Sequence, residues 1–170
     1  MRPARSLALL LAASAATFAL HAQPQAAPPA VPQYGPNVTQ DQARRAIAGA
    51  MAEARRINVP MAVAVVDTAG MLVAFERMEN TQTASISIAQ DKAVSAAMFR
   101  RPTKAFQDLV AGGGVGLRVL TLKHAVAVDG GIPIMVDGRV VGAIGASGGA
   151  AEQDAEVARG GLGALAAQAR

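Results

Sequence analysis

The sequence is poor in the side chains that carry most specialised chemistry. Among its 170 residues there are no cysteines, no tryptophans, one tyrosine, four phenylalanines and two histidines. Without cysteine there is no disulfide framework, no thiolate nucleophile, no cysteine-ligated zinc and no thioether-linked haem. So few histidines cannot build a histidine-rich metal site. Charged residues make up only 16% of the chain, whereas hydrophobic residues make up 52%, which excludes wholesale disorder. A chain of this length buries one sizeable core and is too short for two ordinary domains.

The N-terminus reads as a secretory signal peptide over Met1–Ala22. Arg2 and Arg5 form its basic start, Leu7–Leu20 is apolar and uncharged, and Ala22 suits the position before the cut. The apolar run falls short of the roughly 20 residues a membrane span needs. The expectation is an exported protein, periplasmic or secreted, with no stable membrane insertion after cleavage. Cleavage leaves 14 basic against 12 acidic residues, a net charge of +2 rather than +4. Both signs are mixed along the chain, and no aromatic-rich basic stripe is present, so nucleic acid is not an expected partner. Residues 23–36 hold five of the nine prolines and the only tyrosine, Tyr34, and read as an extended linker. The folded domain is then 37–170, and His124 is its only histidine.

Within that domain Thr39 and Gln42 form a capping box ahead of Ala43, Ile47, Ala50, Met51 and Ala54, which predicts a helix from Gln40 to Arg56. Met61–Val66 reads as a buried strand, Asp67–Gly70 as a turn, and Met71–Met78 as the returning strand. Thr83 is the expected cap of a second helix running to Phe99. Pro102 ends that region, and a short helix follows over Thr103–Val110, stopped by Gly112–Gly114. Leu117–Val128 is read as a strand on its β-branched residues. Ile132–Val136 is read as a strand that Pro133 places at an edge. Asp137-Gly138 is a type I′ hairpin signal leading into Arg139–Ala146. Ala151–Ala167 is the last helix, with Glu152, Asp154 and Glu156 favourably placed near its N-terminus. The order α-β-β-α-α-β-β-β-α predicts an α+β domain, an antiparallel sheet of about five strands with helices packed on it.

Several motifs invite chemistry. Gly145-Ala146-Ser147-Gly148-Gly149 matches the G-x-S-x-G nucleophile elbow, but the only domain histidine precedes it; other folds use other triad orders, yet the domain is also far short of a typical α/β-hydrolase, so a tight turn with Ser147 as cap is the better reading. Gly112–Gly116 lacks the Lys-Ser/Thr of a phosphate loop. Gly148-Gly149 before a helix offers backbone N–H groups to an anion, unless Ser147 or Glu152 satisfies them first. Asp67, Glu76, Arg77, Asp91 and Lys92 are candidate acid/base groups. Lys92 sits among Ala and Val, so its stem packs inward. His124 is the candidate nitrogen ligand for an iron; methionine ligands are possible in principle, but most of the methionines fit core positions.

Four segments then carry a resemblance: VAVVDTAGMLVAFERME, ASISIAQDKAVSAAMFRRPT, GGIPIMVDGRVVGAIGASGG and EQDAEVARGGL. In this order and spacing the chain resembles the GlcG/HbpS-like haem-binding proteins, a family shared with the C-terminal domain of PduO-type proteins. The resemblance implies a profilin-like layout, a small-molecule ligand, homo-oligomerisation and haem as cofactor. Matching positions include Asp67, Gly70, Lys92, Arg101, Pro102, Gly130, Gly131, Gly138, Gly142, Gly148, Gly149, Gln153 and Asp154. Of these, Lys92, Arg101, Gly148, Gly149 and Asp154 are the expected ligand-binding residues. No iron-ligating histidine carries over from the family. His124 is proposed on general ligand chemistry, with Lys92, Arg101 or Lys123 pairing with propionates. The alternative is a cofactor-free enzyme acting on a small carboxylated metabolite, with Lys92, Asp154 and Arg101 lining its pocket.

Overall fold

The computed structural model describes residues 31–167. The expected signal peptide and most of the expected linker lie outside the described residues. An antiparallel sheet of four strands runs in the order β2-β1-β4-β3. The strands are β1 (Ala62–Asp67), β2 (Leu72–Arg77), β3 (Gly131–Val136) and β4 (Arg139–Ser147). The helices are α1 (Gln40–Arg56), α2 (Ser85–Phe99), α3 (Lys104–Ala111) and α4 (Ala151–Ala166). The α+β class holds, with four strands in place of about five.

The missing strand is Leu117–Val128. Its first part belongs to a 3₁₀ helix, Gly114–Thr121, and the remainder is irregular. In a 3₁₀ helix residues i and i+3 eclipse, so the pattern has period three. Gly116 and Val119 form the buried row, while Leu117 and Leu120 form an exposed one. β-Branched residues spaced this way give neither strand alternation nor an α-helical stripe.

The two faces of the sheet differ. Alternation along β1 sends Val63 and Val65 toward α1 and α4, and Ala62, Ala64 and Val66 toward α2. On β4, Ile144 and Ala146 join the first set and Ala143 the second. Gly145 points at α2, and a Cβ there would stand 2.1 Å from the Ala89 carbonyl oxygen. α2 therefore lies close to the sheet through Ala89, Ala93, Ala96 and Ala97. α1 and α4 also touch closely, because a Cβ on Gly49 would come within 2.8 Å of the Gly160 carbonyl oxygen.

The local signals explain most boundaries. The Thr39 hydroxyl accepts from Gln42 N–H at 3.2 Å while the Gln42 side chain accepts from Thr39 N–H at 2.9 Å. Asp67 Oδ1 accepts from the N–H groups of Ala69 and Met71, each at 2.9 Å, which makes it a turn former. Asp137 and Gly138 both have positive φ, 49° and 73°, as a type I′ turn requires. β3 is an edge strand, consistent with Pro133. Thr83 does not cap α2. The residue before that helix is Ala84, and no side chain caps it.

The end of the expected linker is not free-running. Val140 N–H donates to Gln33 O at 2.9 Å and Gly35 N–H to Val140 O at 2.8 Å, so this stretch runs alongside β4. The Tyr34 hydroxyl donates to the carbonyls of Ala97 and Met98 at 3.1 and 3.0 Å. Arg100, left-handed at φ 54°, lies over the Tyr34 ring at 5.0 Å and ends α2.

Candidate functional site

Four of the expected ligand-binding residues come together. Lys92 on α2 and Asp154 on α4 approach from opposite faces of the sheet and meet at the end of β4. Lys92 Nζ lies 2.6 Å from Asp154 Oδ2, with side chains only 1% and 4% exposed. Nζ also donates to the Ala146 carbonyl at 3.2 Å. Asp154 Oδ1 accepts from Gly149 N–H at 3.0 Å. Gly130, at φ 117°, makes room for this pair. A Cβ there would stand 2.8 Å from Asp154 Cβ and 3.0 Å from Lys92 Nζ. Burial pushes the Asp154 carboxyl above its ordinary range, against the opposing pull of hydrogen bonds from Lys92, Gly149 and Gly148.

The two N–H groups just ahead of α4 are thus satisfied from within. Asp154 takes Gly149 N–H, and Gln153 Oε1 accepts from Ala150 N–H at 3.0 Å. The competing acceptors are these two residues rather than Ser147 or Glu152. Gly148 is pressed against the segment that leads into β1, where a Cβ would meet the Pro60 carbonyl oxygen at 2.1 Å. Ser147 is buried and hydrogen-bonded to Ser85 at 3.1 Å. Its hydroxyl is not presented as a nucleophile elbow would present it.

Arg101 sits apart from this cluster, beyond the C-terminal end of α2. Its guanidinium lies over the Phe106 ring at 5.7 Å and its Nε donates to the Phe99 carbonyl at 3.2 Å. From Lys92 to the end of α2 is already about 10 Å along the helix axis. Lys92 and Asp154 point at each other, so the three residues do not line one open pocket in this chain. That arrangement does not favour the enzyme reading.

His124 lies elsewhere again. It is exposed and left-handed, at φ 67°. Just before it, the 3₁₀ helix and its exit present Val115, Leu117, Leu120 and Leu122 to solvent, from 45% to 81% exposed. Leu109 of α3 and Val128 add to the exposed apolar side chains of this region. Arg118 and Lys123 are exposed within the same stretch. Exposed large aliphatic residues this close together mark a surface that meets something apolar. The strand reading of 117–128 hid this row; the three-residue spacing of Leu117 and Leu120 after a glycine run was the available signal. Among the described residues no group of three or more His, Cys, Asp or Glu side chains is placed to hold a bare metal ion.

A family model described as "Haem degrading protein HbpS-like" matches residues 38–163. Protein GlcG of Escherichia coli K12 is 36% identical over 110 residues, covering 65% of this chain and 81% of GlcG. The crystal structure of Klebsiella pneumoniae protein ORFY superposes with a TM-score of 0.72 at 30% identity, covering 79% of this chain and 94% of that one. A crystal structure of a PduOC–haem complex superposes with a TM-score of 0.68 at 28% identity, covering 75% of this chain and 94% of that one. These matches across the domain agree: the chain belongs to the HbpS-like, GlcG-related family.

Proposed function

We propose that this chain is an exported haem-binding protein that acts as a homo-oligomer, with haem held on the apolar row of the 3₁₀ helix beside His124. Family membership and the haem-bound relative support the ligand class. The observation that carries the placement is the exposed, unpacked row Leu117, Leu120 and Leu122 ending next to the only imidazole of the described residues.

The residues of this surface suit the group. A porphyrin is flat and apolar with anionic propionates. It asks for aliphatic side chains on its faces, a nitrogen ligand on its axis and cations at its edge. Leu117, Leu120 and Leu122 supply the first, His124 the second, and Arg118 and Lys123 the third. Lys92 is committed to Asp154 and buried, so the propionate role falls to the exposed cations. Bound haem supplies an iron open to axial ligation and to redox chemistry. The chain's own task is to orient the macrocycle and to shield it. One exposed row covers one face only, so a second copy of the chain is proposed to cover the other.

Hemin titration of the purified mature protein, followed by visible absorption, tests this reading. The expected result is a saturable Soret shift that changes in position or intensity in His124→Ala. Leu120→Asp, a substitution at an exposed site, is expected to weaken hemin binding without lowering thermal stability. Failure of hemin to bind would remove the haem reading. An unchanged spectrum in His124→Ala would remove only the axial assignment. Light scattering of the mature protein with and without hemin checks the oligomer, and processing of the N-terminus in an exporting host checks the signal peptide.

A further inference from the structure

A groove lined by none of the residues of the haem reading is left over. It lies between α1, α4 and the edge strand β3 and holds about 710 Å³. Pro133, Ile134, Leu162 and Leu165 line it, together with Gln42 and Arg45 of α1. Mostly apolar walls with a few fixed polar groups, enclosing several hundred cubic ångströms, are the ordinary make-up of a small-molecule site.

Arg45 is the informative residue. Its Nε is buried and meets no hydrogen-bond partner. Among the described residues its guanidinium is in no ion pair either. Asp41, one turn earlier on α1, is exposed and does not reach it; Asp137, at the rim of the groove, is exposed on the hairpin turn and does not reach it. A guanidinium cannot shed its proton to relieve the cost of an unmet donor. Its planar fork matches a carboxylate. The groove therefore combines an apolar floor with an unmet demand for one anionic acceptor.

We infer that this groove binds a small apolar molecule ending in a carboxylate, with the apolar body on Met135, Leu162 and Leu165 and the carboxylate on the Arg45 guanidinium. Gln42, one turn before Arg45 on the groove wall, supplies its side-chain Nε2 as a second donor, its Oε1 being held by the Thr39 N–H. The site is independent of His124 and of the 3₁₀ row.

Calorimetric titration of the full mature protein with laurate tests it, with dodecyltrimethylammonium as the probe of equal tail and opposite charge. Laurate is expected to bind once per chain and at least about tenfold more tightly than the cationic probe. Arg45→Gln is expected to weaken laurate by about tenfold or more, and Arg45→Lys by less, because an ammonium keeps the charge and loses the fork. His124→Ala is expected to leave laurate binding unchanged, so failure of the haem reading does not touch this one. Hemin serves as competitor. Displacement of laurate in an Arg45-dependent manner would make a porphyrin propionate the carboxylate, and lack of displacement would leave a simple acyl or aromatic acid. Absent laurate binding overturns the inference. So does equal binding of the cationic probe, equal binding by a folded Arg45→Gln, or a dimer sealed through this groove that laurate does not enter.

Discussion

The two faces of the sheet solve the same packing problem with different residues. On the α2 side the contact is built mainly from alanines, Ala62, Ala64, Ala89, Ala93, Ala96, Ala97 and Ala143, with Val66 among them and Gly145 opposite the helix backbone. On the α1/α4 side alanines are again present (Ala43, Ala46, Ala50, Ala54, Ala146 and Ala158), but they are joined by the larger Ile47, Met51, Val63, Val65, Ile134, Ile144 and Val157. Small side chains let a helix approach until backbone nearly touches backbone, which leaves little to remove and no space to fill. Large side chains hold the helices further off and bury more apolar area per residue. They also leave their ends uncovered where the sheet stops, and the groove lies there, against β3. The tight face fixes geometry, and the looser face keeps room.

The largest test of this contrast is the pair that ties the faces together. Lys92→Met leaves Asp154 buried without its cation, and removing one partner of a buried pair costs about 3–5 kcal/mol. Urea denaturation at pH 7 measures it. Adding Asp154→Leu is expected to recover much of the loss, because two apolar groups no longer require a charge to be buried. The same variant carries a pH signature. The Asp154 carboxyl is raised above its ordinary value of 3.8, chiefly by burial. The unfolded chain therefore ionises first, and stability from this group falls as pH rises through the folded value. Without Lys92 the rise is greater. The Lys92→Met penalty is expected to shrink as pH is lowered toward the unfolded value and to grow toward neutrality. A penalty that is flat with pH would sink this account of the junction.

Next come the faces themselves. Ile144→Ala empties a fully buried site among large neighbours and is expected to cost about 2–5 kcal/mol by denaturation. Gly145→Ala adds one methyl group on the opposite face and is expected to cost about 1–3 kcal/mol, because the nearest atoms are α2 backbone rather than a flexible side chain. Truncation should hurt one face and enlargement the other. If Ala93→Gly proved costlier than Ile144→Ala, the distinction would fail.

Smaller effects lie at the periphery. Thr39→Ala removes a cap on α1 and is expected to cost about 1 kcal/mol. Arg56 bridges Glu53 and Glu156 at 2.6 and 2.5 Å, linking α1 to α4 at the surface. Its hydrogen bond holds the Glu53 carboxyl below the usual range, so this stabilisation is present above the ordinary value and is lost as pH falls. Arg56→Ala is expected to change the thermal midpoint least of all, with what change there is vanishing in high salt.

Local chemistry accounts for what could be read along the chain. The Thr39–Gln42 capping box, the Asp67–Gly70 turn and the Asp137-Gly138 hairpin each act within five residues, and each stands where its residues place it. Pro133 announced an edge strand because it cannot donate to a ladder. The region after Gly112–Gly114 failed for the opposite reason. Its apolar residues are not packed against the sheet, so no burial periodicity of two or 3.6 exists to be found, and β-branched content alone mimicked a strand. Thr83 was a plausible cap by type, yet the chain turns into α2 at Ala84, without a side-chain partner.

The candidate site divides along the same line. Sequence alone determined that one imidazole remains in the domain, that no thiol chemistry is open to it, and that Lys92, Gly148, Gly149 and Asp154 belong to a common pattern. Only the tertiary structure decided what those residues do to one another. Lys92 and Asp154 lie on helices that cover opposite faces of the sheet, and the ion pair exists because Gly130 leaves space where they converge. Arg45 is, in sequence, one more charge on the polar side of a helix, and its unmet Nε and its place beside residues of β3 and α4 emerge only in the folded chain. Composition and short-range capping are properties of a few adjacent residues. Burial and pairing are set by contacts among residues far apart in the chain.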